Sequence, residues 1–151
     1  MDEPVIDGVL ITPLKKIQHP KGDIFHVIKK SSDGFSGFGE IYISTIKVNE
    51  VKGWKKHHEM ALNLVVPNGE IRVVIFDERD SSPTKGKFQE VVLSVKNNYS
   101  RLTIPPKLWV AFQGISTDIN MLINIADIEH DKNEASTLGL EEICYSWKNH
   151  G

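Results

Sequence analysis

Short apolar runs, most of them closed by glycine, proline, asparagine or aspartate, restrict the fold of this chain more than any other feature. Such runs are typical of short β-strands separated by turns. Nine strands are predicted: Val9–Leu14, Ile24–Lys29, Gly39–Lys47, Ala61–Val66, Glu70–Asp77, Phe88–Ser94, Leu102–Ile104, Leu108–Gln113 and Asn120–Ala126. In 151 residues, this many strands with little helix predicts an all-β fold, a jelly-roll barrel or sandwich, formed as one domain over residues 1–151.

The sequence Pro67-Asn68-Gly69-Glu70 lies between two of these runs and predicts a β-hairpin, because Asn-Gly supplies the positive φ angles of a two-residue type I′ turn. The second arm of this hairpin is largely apolar on both faces, with Ile71, Val73 and Ile75 alternating with Arg72, Val74 and Phe76. Such a strand must be covered on both sides, by its own core and by a second sheet or subunit. We therefore predict a homodimer.

Only the end of the chain has helical spacing. Within residues 138–147, one face of a helix would carry Leu140, Ile143, Cys144 and Trp147. We predict a short C-terminal helix with Cys144 packed in the core rather than acting as a nucleophile. Cys144 is the single cysteine, which excludes an internal disulfide bond.

The charges are nearly balanced, with 18 Lys and Arg against 20 Asp and Glu. Nucleic acids and acidic membrane surfaces normally attract an excess or a patch of positive charge, so neither partner is predicted. The chain has no run of about 20 apolar residues that could form a membrane helix. Its first residues are acidic, unlike a signal peptide, and we expect a cytoplasmic protein.

The segment from Gly53 to Glu59 concentrates reactive side chains. On a strand, Lys55 and His57 would share one face, whereas Lys56 and His58 would point the other way. A lysine or histidine inside a dry cavity can act as a general base near neutral pH. The alternative is a solvated basic turn, because lysine is rarely buried.

The same segment raises the question of a metal site. His57, His58 and Glu59 could supply ligands, but adjacent side chains on a strand diverge, and a metal cage would need a further histidine from a distant strand. The sequence also lacks a glycine-rich phosphate loop, a Gly-x-Ser-x-Gly motif and a Cys-x-x-Cys motif. We therefore expect neither a metal nor another cofactor.

Three stretches of sequence share the pattern of a known family. The central stretch reads Asp77-x-Arg79-x-x-Ser82-Pro83-Thr84-x-Gly86-Lys87, then Leu93-Ser94, then Ile104-Pro105-Pro106. With the upstream stretches Lys52-Gly53-Trp54-Lys55 and Lys21-Gly22-Asp23-Ile24-Phe25-His26, it resembles the dTDP-4-dehydrorhamnose 3,5-epimerase family. The resemblance implies a cupin-type jelly roll, usually dimeric, that binds a nucleotide-linked 4-keto-6-deoxy sugar without a metal. It also implies that Lys21, Phe25 and His26 contact the nucleotide, with Lys21 and His26 on its diphosphate.

The resemblance also indicates that the catalytic side chains of that family are replaced here. The family's histidine base corresponds to Lys55 and its tyrosine acid to Ile128. A second histidine corresponds to Val110, and an interior lysine falls near Leu62. This chain therefore lacks the pair that usually removes a proton beside the ketone and returns one from the opposite face.

A second resemblance indicates another pair of acid–base residues. Sugar 3,4-ketoisomerases carry Arg-Gly-x-His-x-His, to which residues 52–57 are similar with the second histidine kept as His57. A tyrosine on the preceding strand of those enzymes corresponds to Tyr42. The resemblance implies His57 and Lys55 as bases and Tyr42 as an acid. The alternative for His57 is a structural histidine, buried and hydrogen-bonded in the barrel wall.

Asparagine side chains complete the candidate site. Asn120 and Asn124 share one face of the predicted strand Asn120–Ala126, and buried amides orient small ligands. Asn63 and Arg72 share a face of the predicted hairpin. If Leu62 points inward, as the resemblance implies, that face points away from the pocket, and we leave both residues out of the site.

The sequence thus predicts an enzyme of cell-surface glycan synthesis. It would epimerise or isomerise a nucleotide-linked 4-keto-6-deoxyhexose by removing a proton beside the ketone. The alternatives are a non-catalytic cupin that binds a nucleotide sugar, a 3,4-ketoisomerase, and a metal-dependent cupin that acts on another small molecule.

Overall fold

The computed structural model describes residues 5–148. Residues 1–4 and 149–151, which include the acidic start of the predicted domain, lie outside the described part. The strands, in chain order, are β1 Leu10–Pro13, β2 Lys16–Ile17, β3 Ile24–Phe25, β4 Glu40–Ile46, β5 Val51–His57, β6 Leu62–Asn68, β7 Glu70–Phe76, β8 Phe88–Ser94, β9 Ser100–Ile104, β10 Trp109–Gly114, β11 Asn120–Ala126 and β12 Ala135–Thr137.

Two five-stranded antiparallel sheets form the fold. The first sheet has the order β1-β9-β6-β11-β4 and the second has the order β12-β5-β10-β7-β8, while β2 and β3 form a separate pair. An apolar core between the sheets contains side chains from both, including Leu64 of the first and Val73 of the second. The all-β prediction is confirmed. No helical segment within residues 5–148 is long and apolar enough to cross a membrane.

All nine predicted strands are present, although Ile24–Lys29 contains only the two-residue strand β3. The reactive segment is the strand β5, not a solvated turn. Strand β5 is not among the nine, because the sequence left a strand and a turn open there. Strands β2 and β12 were not predicted because each is too short to show an alternating pattern.

The predicted hairpin at Asn68-Gly69 is wrong. Strand β6 pairs with β9 and β11, whereas β7 pairs with β10 and β8 in the other sheet. Gly69 has a φ of +80°, so the turn chemistry is present, but the turn carries the chain from one sheet to the other. Asn63 and Arg72 therefore lie on different sheets instead of sharing a face.

Two-sided burial of β7 is confirmed. Ile71, Val73 and Ile75 belong to the core between the sheets, and Val74 belongs to a second apolar cluster on the outer face. That outer cluster is covered by residues from the end of the same chain, among them Ile143. A second subunit is not needed on this face, and the homodimer remains a prediction.

The C-terminal segment contains a 3₁₀ turn at Leu140–Glu142 and then continues without helix. Ile143, Tyr145 and Trp147 pack into the outer cluster at every second residue, as in an extended chain. The predicted helical face is not formed, and Cys144 is exposed, contrary to the core position predicted for it. Isoleucine, tyrosine and tryptophan fit a pleated, half-buried surface. This explains why the segment is extended, with every second side chain packed, and not helical.

Asp77 anchors the turn between β7 and β8. Its fully buried carboxylate accepts hydrogen bonds from the side chains of Arg79, Ser82 and Thr84. Burial alone would raise the pKa of Asp77, but these donors and the Arg79 backbone N–H hold it well below its ordinary value. The Arg-x-x-Ser-Pro-Thr pattern of the sequence therefore has a structural function here.

We predict that Asp77→Asn lowers the free energy of unfolding at pH 7 by roughly 2–3 kcal/mol, because Arg79 loses a buried ionic partner. Since folding lowers the pKa of Asp77, its contribution is complete above the ordinary value of 3.8 and decreases below it. Urea unfolding at pH 7 and at pH 3 would measure this difference. The control is Asp80→Asn, in which an exposed carboxylate is lost; an equal effect of both variants would contradict the prediction.

Candidate functional site

A cavity of about 250 Å³ opens between the two sheets. This is slightly below the range of about 300–1,000 Å³ that is common for small-molecule pockets, so it suits a sugar-sized group rather than a whole nucleotide sugar. Its lining residues are Tyr42, Ser44, Lys52, Gly53, Lys55, His57, Leu62, Leu64, Val110, Phe112, Leu122 and Asn124.

Strand β5 supplies the cationic side of this cavity. Lys55 and His57 line it, whereas Trp54, which precedes Lys55, is fully buried in the outer cluster. Two side chains of the outer face have partners of their own: the Lys56 ammonium lies 4.8 Å from the centre of the Trp109 ring, and His58 Nε2 lies 2.9 Å from Ser136 Oγ. Alternation along the strand therefore separates Lys55 and His57 from Lys56 and His58, as the sequence predicts.

A β-bulge adds Lys52 to the same wall. The register with β10 advances from Val110–Lys55 to Phe112–Lys52, three residues on β5 against two on β10. A side chain at Gly53 would not fit in this bulge, because its Cβ would lie 2.3 Å from Ala111 Cβ. The glycine thus permits the close approach of the two strands that turns Lys52 toward the cavity.

His57 is held by Glu134, which precedes β12. His57 is 6% exposed, and its Nδ1 is hydrogen-bonded to Glu134 Oε1. The other carboxylate oxygen, Oε2, accepts the backbone N–H groups of Glu59 and Met60 at 3.1 Å each. With Nδ1 engaged, Nε2 is the ring nitrogen left for a ligand in the cavity.

Glu134 remains a carboxylate despite its burial. Burial would raise its pKa, but the hydrogen bonds from His57, Glu59 and Met60 and the attraction to His57 lower it on balance. A carboxylate on Nδ1 fixes the neutral imidazole in the tautomer that carries its proton there. Nε2 then has a free lone pair, which is what a general base needs.

Tyr42 and Asn124 form the facing wall, on the first sheet. They are directly opposed in the register of β4 and β11, and Asn124 Nδ2 donates a hydrogen bond of 2.8 Å to the Tyr42 hydroxyl oxygen. Four of the predicted site residues, His57, Lys55, Tyr42 and Asn124, therefore line one cavity.

The structure places the other predicted residues outside this lining. Asn120 binds backbone groups at the start of β11, accepting from Glu70 N at 2.9 Å and donating to Ser116 O at 2.8 Å. Lys21, Phe25 and His26 lie on and beside the β2–β3 pair: the Phe25 ring contacts Tyr99, whose hydroxyl donates to the His26 carbonyl oxygen.

Sequence reasoning missed Glu134, the partner of His57. It lies in a polar stretch outside the predicted strands, 77 residues from His57, and no local pattern connects the two. Lys52, Ser44 and Phe112 also line the cavity without having been proposed as site residues. Within residues 5–148, no cluster of three or more His, Cys, Asp or Glu side chains is arranged to hold a metal ion.

Comparisons with known proteins give a consistent result. Residues 5–147 match the family described as dTDP-4-dehydrorhamnose 3,5-epimerase. A probable low-salt glycan biosynthesis epimerase, Agl13 of Haloferax volcanii, is 29% identical over 123 residues, which cover 80% of this chain and 78% of that protein.

Solved structures have the same fold. The dTDP sugar isomerase of Desulfovibrio desulfuricans G20 is 35% identical, with a TM-score of 0.90 over 94% of this chain and 92% of its own. ChmJ, a 3'-monoepimerase from Streptomyces bikiniensis solved with dTDP-quinovose, is 17% identical, with a TM-score of 0.82 over 93% and 74% of the two chains. At that identity the likeness concerns the fold alone.

We predict that Glu134→Gln reverses the tautomer of neutral His57. The amide would have to turn its oxygen toward the N–H groups of Glu59 and Met60 and its NH₂ group toward Nδ1, which must then accept. The proton would move to Nε2, where it blocks the base. Long-range ¹H–¹⁵N NMR spectra report the tautomer directly.

The matched control for this prediction is Glu59→Gln, a neighbouring exposed carboxylate. It should leave the His57 signals unchanged. An unaltered Nδ1–H tautomer in Glu134→Gln would show that the carboxylate does not orient the ring.

Proposed function

The chain belongs to the dTDP-4-dehydrorhamnose 3,5-epimerase family, and on this basis we propose that it epimerises a nucleotide-linked 4-keto-6-deoxyhexose for cell-surface glycan synthesis. The dTDP-linked sugar is the first choice of substrate, since a relative of 35% identity is described as a dTDP sugar isomerase. The observation that carries the proposal is the presence of His57 and Tyr42 on facing sheets of one cavity.

In the proposed reaction, His57 Nε2 removes a proton from the carbon beside the ketone. The C–H electron pair moves toward the carbonyl oxygen and forms an enolate, and Tyr42 then donates a proton to the same carbon from the opposite face. The result is inversion at that carbon. Protonated Lys55 is suited to stabilise the enolate oxygen, because charges interact strongly in a cavity with apolar walls. In its neutral amine form, Lys55 is the alternative to His57 as the base.

The positions that correspond to the family's catalytic side chains support this assignment. Lys55, Val110 and Leu62 all line the cavity, and Ile128 packs against the adjoining core. These positions support a reaction centre in this cavity, although three of the four carry apolar side chains. We propose that His57 and Tyr42 perform the acid–base work in their place.

The nucleotide end of the substrate must lie outside a cavity of about 250 Å³. Lys52 borders this cavity and also a larger surface depression of about 950 Å³, which favours it as a contact for the diphosphate. The contacts predicted for Lys21, Phe25 and His26 with the nucleotide stay a prediction from the resemblance, since Phe25 and His26 lie against Tyr99 and not in this depression. We keep Asn120 as a weaker candidate, because the depression includes it. The homodimer and the cytoplasmic location are part of this proposal.

A 3,4-ketoisomerase is the second candidate function. The same two residues could move a proton between adjacent carbons, with the ketone transferred from C4 to C3 instead of a centre being inverted. The presence of Tyr42 and His57 in one cavity favours this candidate, because the resemblance to those enzymes rests on the same two residues.

We predict that the protein exchanges a proton of a dTDP-4-keto-6-deoxyhexose for deuterium in D₂O, and that His57→Asn slows this exchange by about 100- to 10,000-fold. Mass spectrometry and NMR would give the rate and the carbon. His58→Asn is the matched control, since that ring is engaged by Ser136 on the other side of the strand. Exchange at the wild-type rate in His57→Asn would exclude His57 as the base.

The two candidate reactions give different products, and the non-catalytic alternative gives none. An epimerase leaves the ¹³C carbonyl signal at C4, whereas a ketoisomerase moves it to C3. We expect the ¹³C carbonyl signal to stay at C4. Tight binding of a dTDP-sugar, rather than of UDP-, GDP- or CMP-linked sugars, with no exchange at any carbon would instead identify a binding protein. A stoichiometric transition metal in the purified protein would contradict the metal-free mechanism.

A further inference from the structure

Asn124 has only part of its amide group engaged within the protein. The side chain is 4% exposed, and its Nδ2 donates to the Tyr42 hydroxyl oxygen at 2.8 Å. Its Oδ1 is buried and has no hydrogen-bond partner among the described residues. A buried amide oxygen normally has a partner, and one without a partner inside a ligand cavity is suited to accept a hydrogen bond from the ligand.

We propose, on the premise of the proposed function, that Asn124 is a positioning residue that makes Tyr42 a proton donor to the substrate. A phenol has one O–H to donate and an oxygen that accepts. The Asn124 NH₂ group occupies an acceptor position of this oxygen, so the phenolic hydrogen is directed away from Asn124. Because Tyr42 lines the cavity, that hydrogen is available to a bound ligand.

The fold keeps this pair in place. Asn124 and Tyr42 are cross-strand partners in the β11–β4 ladder, in which each of the seven residues of β4 is paired. The contact therefore depends on strand register rather than on a mobile loop. The free Oδ1 beside it is assigned to a hydroxyl group of the sugar, which would fix the ring relative to the phenol.

Asn124→Asp tests the proposal with almost no change in shape. A carboxylate only accepts hydrogen bonds, so the Tyr42 hydroxyl would turn toward it and no longer donate to the substrate. His57 would still remove a proton and return deuterium from its own face. We expect inversion to fall at least about tenfold relative to deuterium exchange with retained configuration.

Two further variants separate positioning from a merely structural effect. Tyr42→Phe should show the same loss of inversion with exchange retained, and the double variant should be no worse than Tyr42→Phe, because Asn124 acts through Tyr42. Asn68→Asp, the same change at an exposed amide, should behave like the wild type. An equal fall of exchange and inversion in Asn124→Asp, or additive losses in the double variant, would overturn the proposal.

A measurement on the ligand-free protein makes the test independent of the reaction. The NMR signals of the Asn124 NH₂ group, identified by their loss in Asn124→Asp, should exchange slowly with water in the wild type and faster in Tyr42→Phe. Equal rates would overturn the assigned hydrogen bond. If the wild type exchanged no substrate proton while this difference was found, the proposed function would fail and the arrangement of the pair would stand.

Discussion

The pairing of β5 with β12 is the contact on which the candidate site depends. It joins Ala135 to His57 and Thr137 to Lys55, and it continues as reciprocal backbone hydrogen bonds of 3.0 Å between Trp54 and Leu138. Because Glu134 immediately precedes β12, the same ladder brings its carboxylate to His57. The chain beyond β12 then covers Trp54 on the outer face, so one segment both orients the base and completes the core behind it.

The sequence was informative wherever the structure depends on local alternation. The period of two in β5 predicted that Lys55 and His57 share a face, and the apolar pattern of β7 predicted burial on two sides. It was uninformative where the structure depends on distant pairing. No local signal connects Glu134 with His57, and the Asn68-Gly69 turn has the same local chemistry whether it closes a hairpin or, as here, connects two sheets.

The C-terminal segment illustrates a different difficulty. Leu140, Ile143 and Trp147 have helical spacing, yet Ile143, Tyr145 and Trp147 have strand spacing in the same few residues. Helix propensity alone does not decide between the two, because a short helix is marginal without tertiary contacts. Tertiary packing favours the extended form. Trp54, Phe88 and Val74 form an apolar surface on the outer face of the second sheet, and an extended chain covers it with every second side chain.

The proposed mechanism requires a base and an acid on opposite sides of a planar enolate, and a two-sheet fold provides two walls for this purpose. In this proposal, the base moves from position 55 of the family's pattern to His57, two residues along β5 and hence on the same face. The acid moves from position 128, just after β11, to Tyr42 on β4, which is paired with β11. If the proposal holds, each function stays on its own sheet, and the two walls keep their relation to the substrate although the reacting side chains differ.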